Sequence, residues 1–512
     1  MQYFLGIDIG THASRGMLID QSFAVVADLS LPHGMDHPHP GWFEQDAEAV
    51  WWGDFCNLCR RLLDHSGVSP AQIACVGAST LGTDCLPVDR GFRPLRPAIL
   101  YGIDARADAE AAWLTRHYGT QRVQQLFGHP ICSGDTATKI LWLKNHEPDL
   151  WNKAAWFLTG SSFLTARLTG RAVIDQALGK GSFRPLYRAD GSIWEDECRL
   201  YCRPDQIAVC LPAHEIVGTV TAEAACQTGL MAGTPVITGT GDSAAEAISV
   251  GLVEAGTAFF QYGSSLYYYY CTDHLVTSYI SPAGNGALKG GKEFTVPGTF
   301  CLGDGTNAAG TLTRWVRDLL YSREVAGERQ GGENAYAVMA REAAEIPPGS
   351  NGLMMLPYLY GERSPLQDPS ATAMLFGLKG SHTRREINRA ALEAVGYSTM
   401  QHLILFDELG LPPRRLITAG GGTKNRTWMQ IICDMAGMEL TVPEPFQCSA
   451  YGDAMLAALG CGALDGFADL RQALPPGEIF RPDAGVHQFY AARYPIFRDL
   501  YLANRQRMYA LA

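Results

Sequence analysis

Short apolar runs interrupted by glycine-bearing polar turns recur along this chain, and the first lies at its start. Tyr3–Ile9 reads as a buried strand and residues 15–20 as its hairpin partner. Between them Asp8-Ile9-Gly10-Thr11-His12-Ala13-Ser14-Arg15 forms a tight turn whose backbone N–H groups and hydroxyls can bind phosphate oxygens without a helix. Asp8 at the strand end can hold a metal ion through water, and Arg15 can add charge-assisted bonds. The same grammar returns half a chain later. Residues 258–262 form a strand, Gly263-Ser264-Ser265 the turn, and residues 266–270 the return strand. A hairpin duplicated in this way predicts two similar domains clamping one nucleotide between them; two ordinary surface hairpins are the alternative.

Two further runs change register from strand to helix. Residues 416–419 run apolar into Gly420-Gly421-Gly422 and then into an amphipathic helix over 428–435. Glycines there let an adenine or ribose approach the backbone, and Asn425 can bond to a nucleoside. The turn is not a Walker loop, because no Lys-Ser or Lys-Thr closes a G-x-x-x-x-G run, and it lacks the G-x-G-x-x-G of a dinucleotide site. Residues 235–241 give a strand and a glycine pair before a helix that starts near Asp242. Asp242 fits a general base for a hydroxyl, and it equally fits the N-cap of a helix from Ser243.

Length and charge narrow the class. At 512 residues the chain predicts two domains, set at 1–245 and 246–512. A composition of 47% hydrophobic and 18% charged residues is that of a soluble globular protein, and the net charge of −11 argues against nucleic acid as a partner. The N-terminus lacks the basic region of a signal peptide, and no apolar run approaches the roughly 18 residues of a membrane span. The 14 cysteines have no framework spacing and predict reduced thiols in a cytoplasm. Cys56 and Cys59, on a helical stretch after the cap Asp46, read as core rather than metal ligands.

At this point the residues resemble a known family, the FGGY carbohydrate kinases, over nearly the whole chain. Gly134-Asp135-Thr136-Ala137-Thr138-Lys139-Ile140-Leu141-Trp142-Leu143-Lys144-Asn145-His146 fits its first signature. Ala373-Met374-Leu375-Phe376-Gly377-Leu378, with Glu386-Ile387 and Ala390-Ala391-Leu392-Glu393, fits the second. Within the family the chain looks most similar to xylulose kinases. The resemblance implies an α/β fold of two actin-like (ribonuclease-H-like) ATPase domains hinged around a cleft. It also implies ATP as co-substrate, Mg2+, and transfer of a phosphoryl group to a small open-chain sugar, a ketopentose such as D-xylulose first. Ribulose, another ketose, a polyol or an aldonic acid are the alternatives, as is a non-catalytic actin-like sensor. No added module for a partner protein is visible, and a homodimer is allowed.

Carried over by motif, Asp8 corresponds to the metal-organising aspartate and Asp242 to the catalytic base. Thr11, His12, Ala13 and Arg15 correspond to the first phosphate loop and Ser264 to the second. Gly310 and Arg314 flank the nucleotide, with Gly421 and Asn425 on the adenosine side. The sugar loop departs from the xylulose-kinase pattern: Gly82-Thr83 stand where a Met-His pair is expected, followed by Asp84. Asp104 and Arg106 either bind sugar hydroxyls or brace the loop as a salt bridge.

Overall fold

The computed structural model describes residues 1–443 and 448–511, and the chain forms two compact units. The first comprises Met1–Glu254, Lys292–Phe300 and Pro445–Leu474; the second comprises Ala255–Gly291, Cys301–Glu444 and Pro475–Ala512. The expected division at 245/246 falls inside the helix Asp242–Ser249. A helix is one hydrogen-bonded ladder and goes with the core its apolar face joins, so the first unit runs past it. It also reclaims a late helix, and neither unit is therefore one contiguous half.

In the first unit the strands lie in the order Ile216–Thr219, Pro235–Ile237, Ile73–Thr80, Tyr3–Ile9, Ala13–Asp20, Val25–Pro32. Tyr3–Ile9 pairs antiparallel with Ala13–Asp20 and parallel with Ile73–Thr80, which sets Asp8 between Arg15 and Ser79. The helix Gly53–Ser66 packs against the hairpin strand Ala13–Asp20 and its neighbour Val25–Pro32. It buries Phe55, Leu58, Cys59, Leu62 and Leu63, the spacing of a single apolar stripe. Each of those leucines stabilises the unit by roughly 1.5–3 kcal/mol. Cys59 is thus core, and among the described residues no group of three or more His, Cys, Asp or Glu side chains is arranged to hold a metal.

The opposite face of the sheet takes the helix Ser449–Gly460, which also packs on Asp242–Ser249. Every residue from Ser449 to Leu459 in it is buried. The approach is so close that a Cβ on Gly77 would lie 2.5 Å from the Asp453 carbonyl oxygen, and one on Gly452 would lie 1.8 Å from that of Ala245. Glycine at these two positions is what brings strand, late helix and Asp242 helix together.

The second unit repeats the plan. Its strands run Phe300–Thr306, Leu266–Thr272, Thr257–Tyr262, Arg415–Ala419, Leu440–Val442, Glu478–Phe480. Thr257–Tyr262 pairs antiparallel with Leu266–Thr272 and parallel with Arg415–Ala419. The long helix Arg384–Glu408 starts on a capping box made by Thr383 and Glu386 and packs against Gly310–Leu320 and Arg426–Ala436. No helix among the described residues is long and apolar enough to cross a membrane.

Candidate active site

In the first unit the strand ends gather carboxylates. Ser79 Oγ stands 2.9 Å from Asp8 Oδ1 and 2.6 Å from Asp453 Oδ2. Burial, followed by the nearby Asp242 charge, pushes the Asp8 carboxyl up to about 8. Burial and the neighbouring Asp8 hold Asp453 well above the usual carboxylate range. Asp242 is the first residue of its helix, with Gly241 as the N-cap, so it is not the cap itself. Its Oδ1 accepts from Ser243 N at 2.6 Å and from Ser243 Oγ at 3.1 Å, which fixes the carboxylate. Burial raises its pKa. A fixed carboxylate with a raised pKa is suited to accept a hydroxyl proton near neutral pH.

Beside it lies the Gly82 loop. A Cβ on Gly241 would be 3.5 Å from Gly82 Cα, and one on Gly82 would be 3.3 Å from Leu178. Lys139 Nζ donates to the carbonyl oxygens of Thr83 at 2.6 Å and Gly134 at 2.9 Å, which fastens the loop to the helix Thr136–His146. Asp84 is fully buried, and both its carboxylate oxygens lack a hydrogen-bond partner. Burial drives its pKa far up against the pull of Lys139, and Asp242 adds to the rise. A buried carboxyl group with both oxygens so poorly paired is an unusual expense in a folded protein.

Several expected residues sit elsewhere than the sequence suggested. The Arg15 guanidinium binds Asp28 on the adjacent strand, with Nε 2.8 Å from Oδ1, rather than reaching over the turn. A planar fork prefers a carboxylate that the register already places beside it. Asp104 and Arg106 form the brace: Asp104 accepts from Phe43 N at 2.7 Å, and Arg106 bonds to Asp104 and Glu44. Arg106 also lies 4.3 Å from the Trp42 ring centroid, and its side chain is wholly buried. In the first loop Gly10 N donates to Ala13 O at 3.0 Å, closing the tight turn. Thr11 Oγ1 lies 3.2 Å from Tyr101 OH, Ala13 opens the return strand, and His12 is exposed.

The second unit brings its five expected residues together. Ser264, Gly310, Arg314, Gly421 and Asn425 all line one cavity of about 590 Å³, with Tyr262 and Trp428 in its wall. That volume lies in the range of small-molecule sites. Gly310 N donates to Gly263 O at 2.9 Å, which ties the hairpin turn to the start of the helix Gly310–Leu320. Asn425 Oδ1 caps Arg426–Ala436 by accepting from Trp428 N at 3.0 Å.

Sequence reasoning assigned no role to Ser79, Lys139 or Asp453. For Asp453 a signal exists: it is the single charged residue in the otherwise apolar stretch 449–460. Comparison with known proteins completes the picture. Residues 3–249 match the N-terminal domain of the FGGY family of carbohydrate kinases, and residues 272–461 match its C-terminal domain. The chain is 28% identical over 520 residues to the xylulose kinase of Bacillus subtilis (strain 168), covering 100% of this chain and 99% of that one. It is 26% identical to the gluconokinase of the same organism, covering 97% and 95%. The crystal structure of xylulose kinase from Rhodospirillum rubrum superposes with a TM-score of 0.86 at 28% identity, over 99% of this chain and 100% of that one. Two hairpin-centred α/β units, the cavity and both domain matches lead to one conclusion: the chain belongs to the FGGY family of carbohydrate kinases, phosphotransferases of actin-like fold with ATP as co-substrate.

Proposed function

We propose that this kinase phosphorylates a small, neutral, open-chain ketose, a ketopentose such as D-xylulose first, with Asp242 as the base that takes the hydroxyl proton. The observation that carries the reading is Asp84, a buried carboxylate without donors near Asp242 and behind the half-exposed Gly82-Thr83 loop. Its unpaired oxygens call for hydrogen-bonding partners. The hydroxyl groups of a polyhydroxy chain, which both donate and accept, would satisfy the Asp84 carboxyl once the loop gives way, whereas an aldonate would bring its negative charge beside Asp242.

Asp8 is the residue that would organise Mg2+. It offers hard oxygen beside the Asp242 charge, and Arg15 is engaged by Asp28, so a cation relieves the repulsion. When bound, the ion screens the triphosphate charge during transfer. Thr11, His12 and Ala13 are assigned to the first phosphate loop through the turn backbone, and Ser264, Gly310, Arg314, Gly421 and Asn425 to the nucleotide.

The test is ADP release with Mg-ATP across ketopentoses, polyols, hexoses and aldonic acids. Little release without sugar and a steep rise with a neutral ketose is expected, because such kinases complete their sites around bound acceptor. Gluconate as the best acceptor would overturn the neutral-ketose reading, and equal release with and without every sugar would overturn the sugar-dependent one.

A further inference from the structure

Asp453 is delivered into the centre of the first unit by a helix that begins nearly two hundred residues after Glu254, where the unit's first segment ends. It is 0% exposed, and its Oδ1 has no partner while its Oδ2 lies 2.6 Å from Ser79 Oγ. A carboxylate at that position is expensive unless something uses it. A packing role alone would be met by the alanines and leucines that fill the rest of this helix.

Hydrogen-bond arithmetic says what uses it. Ser79 has one hydroxyl proton but stands within hydrogen-bond distance of two carboxyl groups, Asp8 and Asp453. Both contacts are hydrogen bonds only if one carboxyl group is itself a donor. Asp8 is partly exposed at the strand end and Asp453 is not, so the neutral group belongs at Asp453, where a charge costs more. The shorter contact is also the one to Asp453, as suits a carboxylic O–H donor. The chain then runs from the Asp453 O–H to Ser79 Oγ, and from the Ser79 O–H to Asp8 Oδ1.

We infer that Asp453 is a positioning residue which, through Ser79, fixes the orientation of the Asp8 carboxylate so that its remaining lone pairs meet the metal–nucleotide. The inference rests on the reading of Asp8 as the metal-organising carboxylate. Backbone geometry supports it independently: Gly77, two residues before Ser79, is the position at which the Asp453 carbonyl comes too close for any side chain.

The experiment compares Asp453→Asn, Asp453→Ala and Ser79→Ala in the full chain. Calorimetry measures ADP binding with Mg2+ and with EDTA, and a coupled assay measures the Mg2+ concentration for half-maximal turnover. An asparagine amide still donates to Ser79, so Asp453→Asn should stay within about threefold of wild type in both. Asp453→Ala should weaken Mg-ADP binding and raise the Mg2+ requirement roughly tenfold or more, the usual cost of losing a partner behind a metal ligand, with metal-free ADP binding unchanged. Ser79→Ala should match it, and the double variant should be no worse than either single one. An unchanged Mg2+ dependence in Asp453→Ala, or an Asn variant as impaired as the Ala variant, overturns the inference. If Asp453→Ala does not fold, Ser79→Ala decides: a normal Mg2+ dependence there is fatal. Asp8→Ala run alongside separates the two levels. No Mg2+ effect in Asp8→Ala refutes the Asp8 reading itself, whereas an effect there without one in Asp453→Ala refutes only the relay.

Discussion

The two hairpins share a backbone and differ in almost everything that carries charge. Asp8-Ile9-Gly10-Thr11 in the first unit corresponds by position to Gln261-Tyr262-Gly263-Ser264 in the second. The parallel strand beside them presents Ser79 opposite Asp8 but Ala419 opposite Gln261. The helix behind the first supplies Asp453; the walls of the second supply Tyr262 and Trp428. One copy of the fold has therefore accumulated buried carboxylates, whose pKa values are raised by burial and by one another, and the other an aromatic-walled cavity whose charged lining residues are the cations Arg314 and Lys424. On the function proposed above the comparison becomes a division of labour: the carboxylate-rich copy would handle protons and a cation, and the copy with the aromatic-walled cavity would handle recognition of the nucleotide.

The largest test of that division is Asp242→Asn. The amide keeps the oxygen that accepts from Ser243, so folding and ligand binding should persist while kcat falls about 10²- to 10⁴-fold. Because burial raises the Asp242 pKa, the base form is lost as pH falls through a value above the ordinary carboxylate range. The acid limb of the wild-type kcat profile should lie there and vanish in the variant. More than about a tenth of wild-type kcat remaining would remove Asp242 from the chemistry.

Next in size is Asp8→Ala. Loss of one charged hydrogen-bonding group should lower productive Mg-ATP use roughly 10- to 100-fold, with sugar binding still measurable by calorimetry. Lost sugar affinity with normal nucleotide handling would reverse the assignment. In the second unit's cavity Asn425→Ala should behave differently in kind. It should raise KM for ATP a few-fold at nearly constant kcat, and lower stability by about 0.5–2 kcal/mol through the lost cap. A large fall in kcat there would break the comparison.

The smallest effect concerns pH and stability in the charged unit. Burial raises Asp175 to about 7, with Thr240 Oγ1 donating to its Oδ2 and its Oδ1 without a partner. A carboxyl raised on folding stabilises fully below its unfolded pKa, and that contribution fades as pH climbs to about 7. Asp175→Asn should therefore gain a few °C in Tm relative to wild type at pH 8 and nothing near pH 4. An equal difference at both pH values would mean Asp175 is ionised in the folded chain.

What the sequence made legible was local. Tyr3–Ile9 and its return strand, the second hairpin, and the strand-to-helix turn at Gly420 to Asn425 are each specified by neighbours within a few residues, and all form. Of the five residues that line the second cavity, Ser264, Gly421 and Asn425 stand at turns whose chemistry is legible locally, whereas Gly310 and Arg314 came from the family resemblance alone. The pairing of Arg15 with Asp28 was not legible because Asp28 lies a strand away, where only register brings the two together. Asp104 and Arg106 left two readings open, and the salt bridge between them beside Trp42 shows the bracing one, which rests on Glu44 and Phe43 some sixty positions away. Asp453 and Ser79 went unassigned because they are 374 positions apart, and no periodicity links a strand to a helix that arrives so late.

That late arrival bears on how the chain is made. A ribosome finishes Glu254 roughly two hundred codons before it reaches Ser449, an interval of roughly 10–40 s at typical elongation rates. Throughout it the Gly6 and Gly77 face of the first sheet has been synthesised, but the helix that covers it has not. The nascent protein must carry an unsealed apolar surface while the second unit is being translated. A stop codon just before residue 448 would therefore unfold the part of the molecule made first.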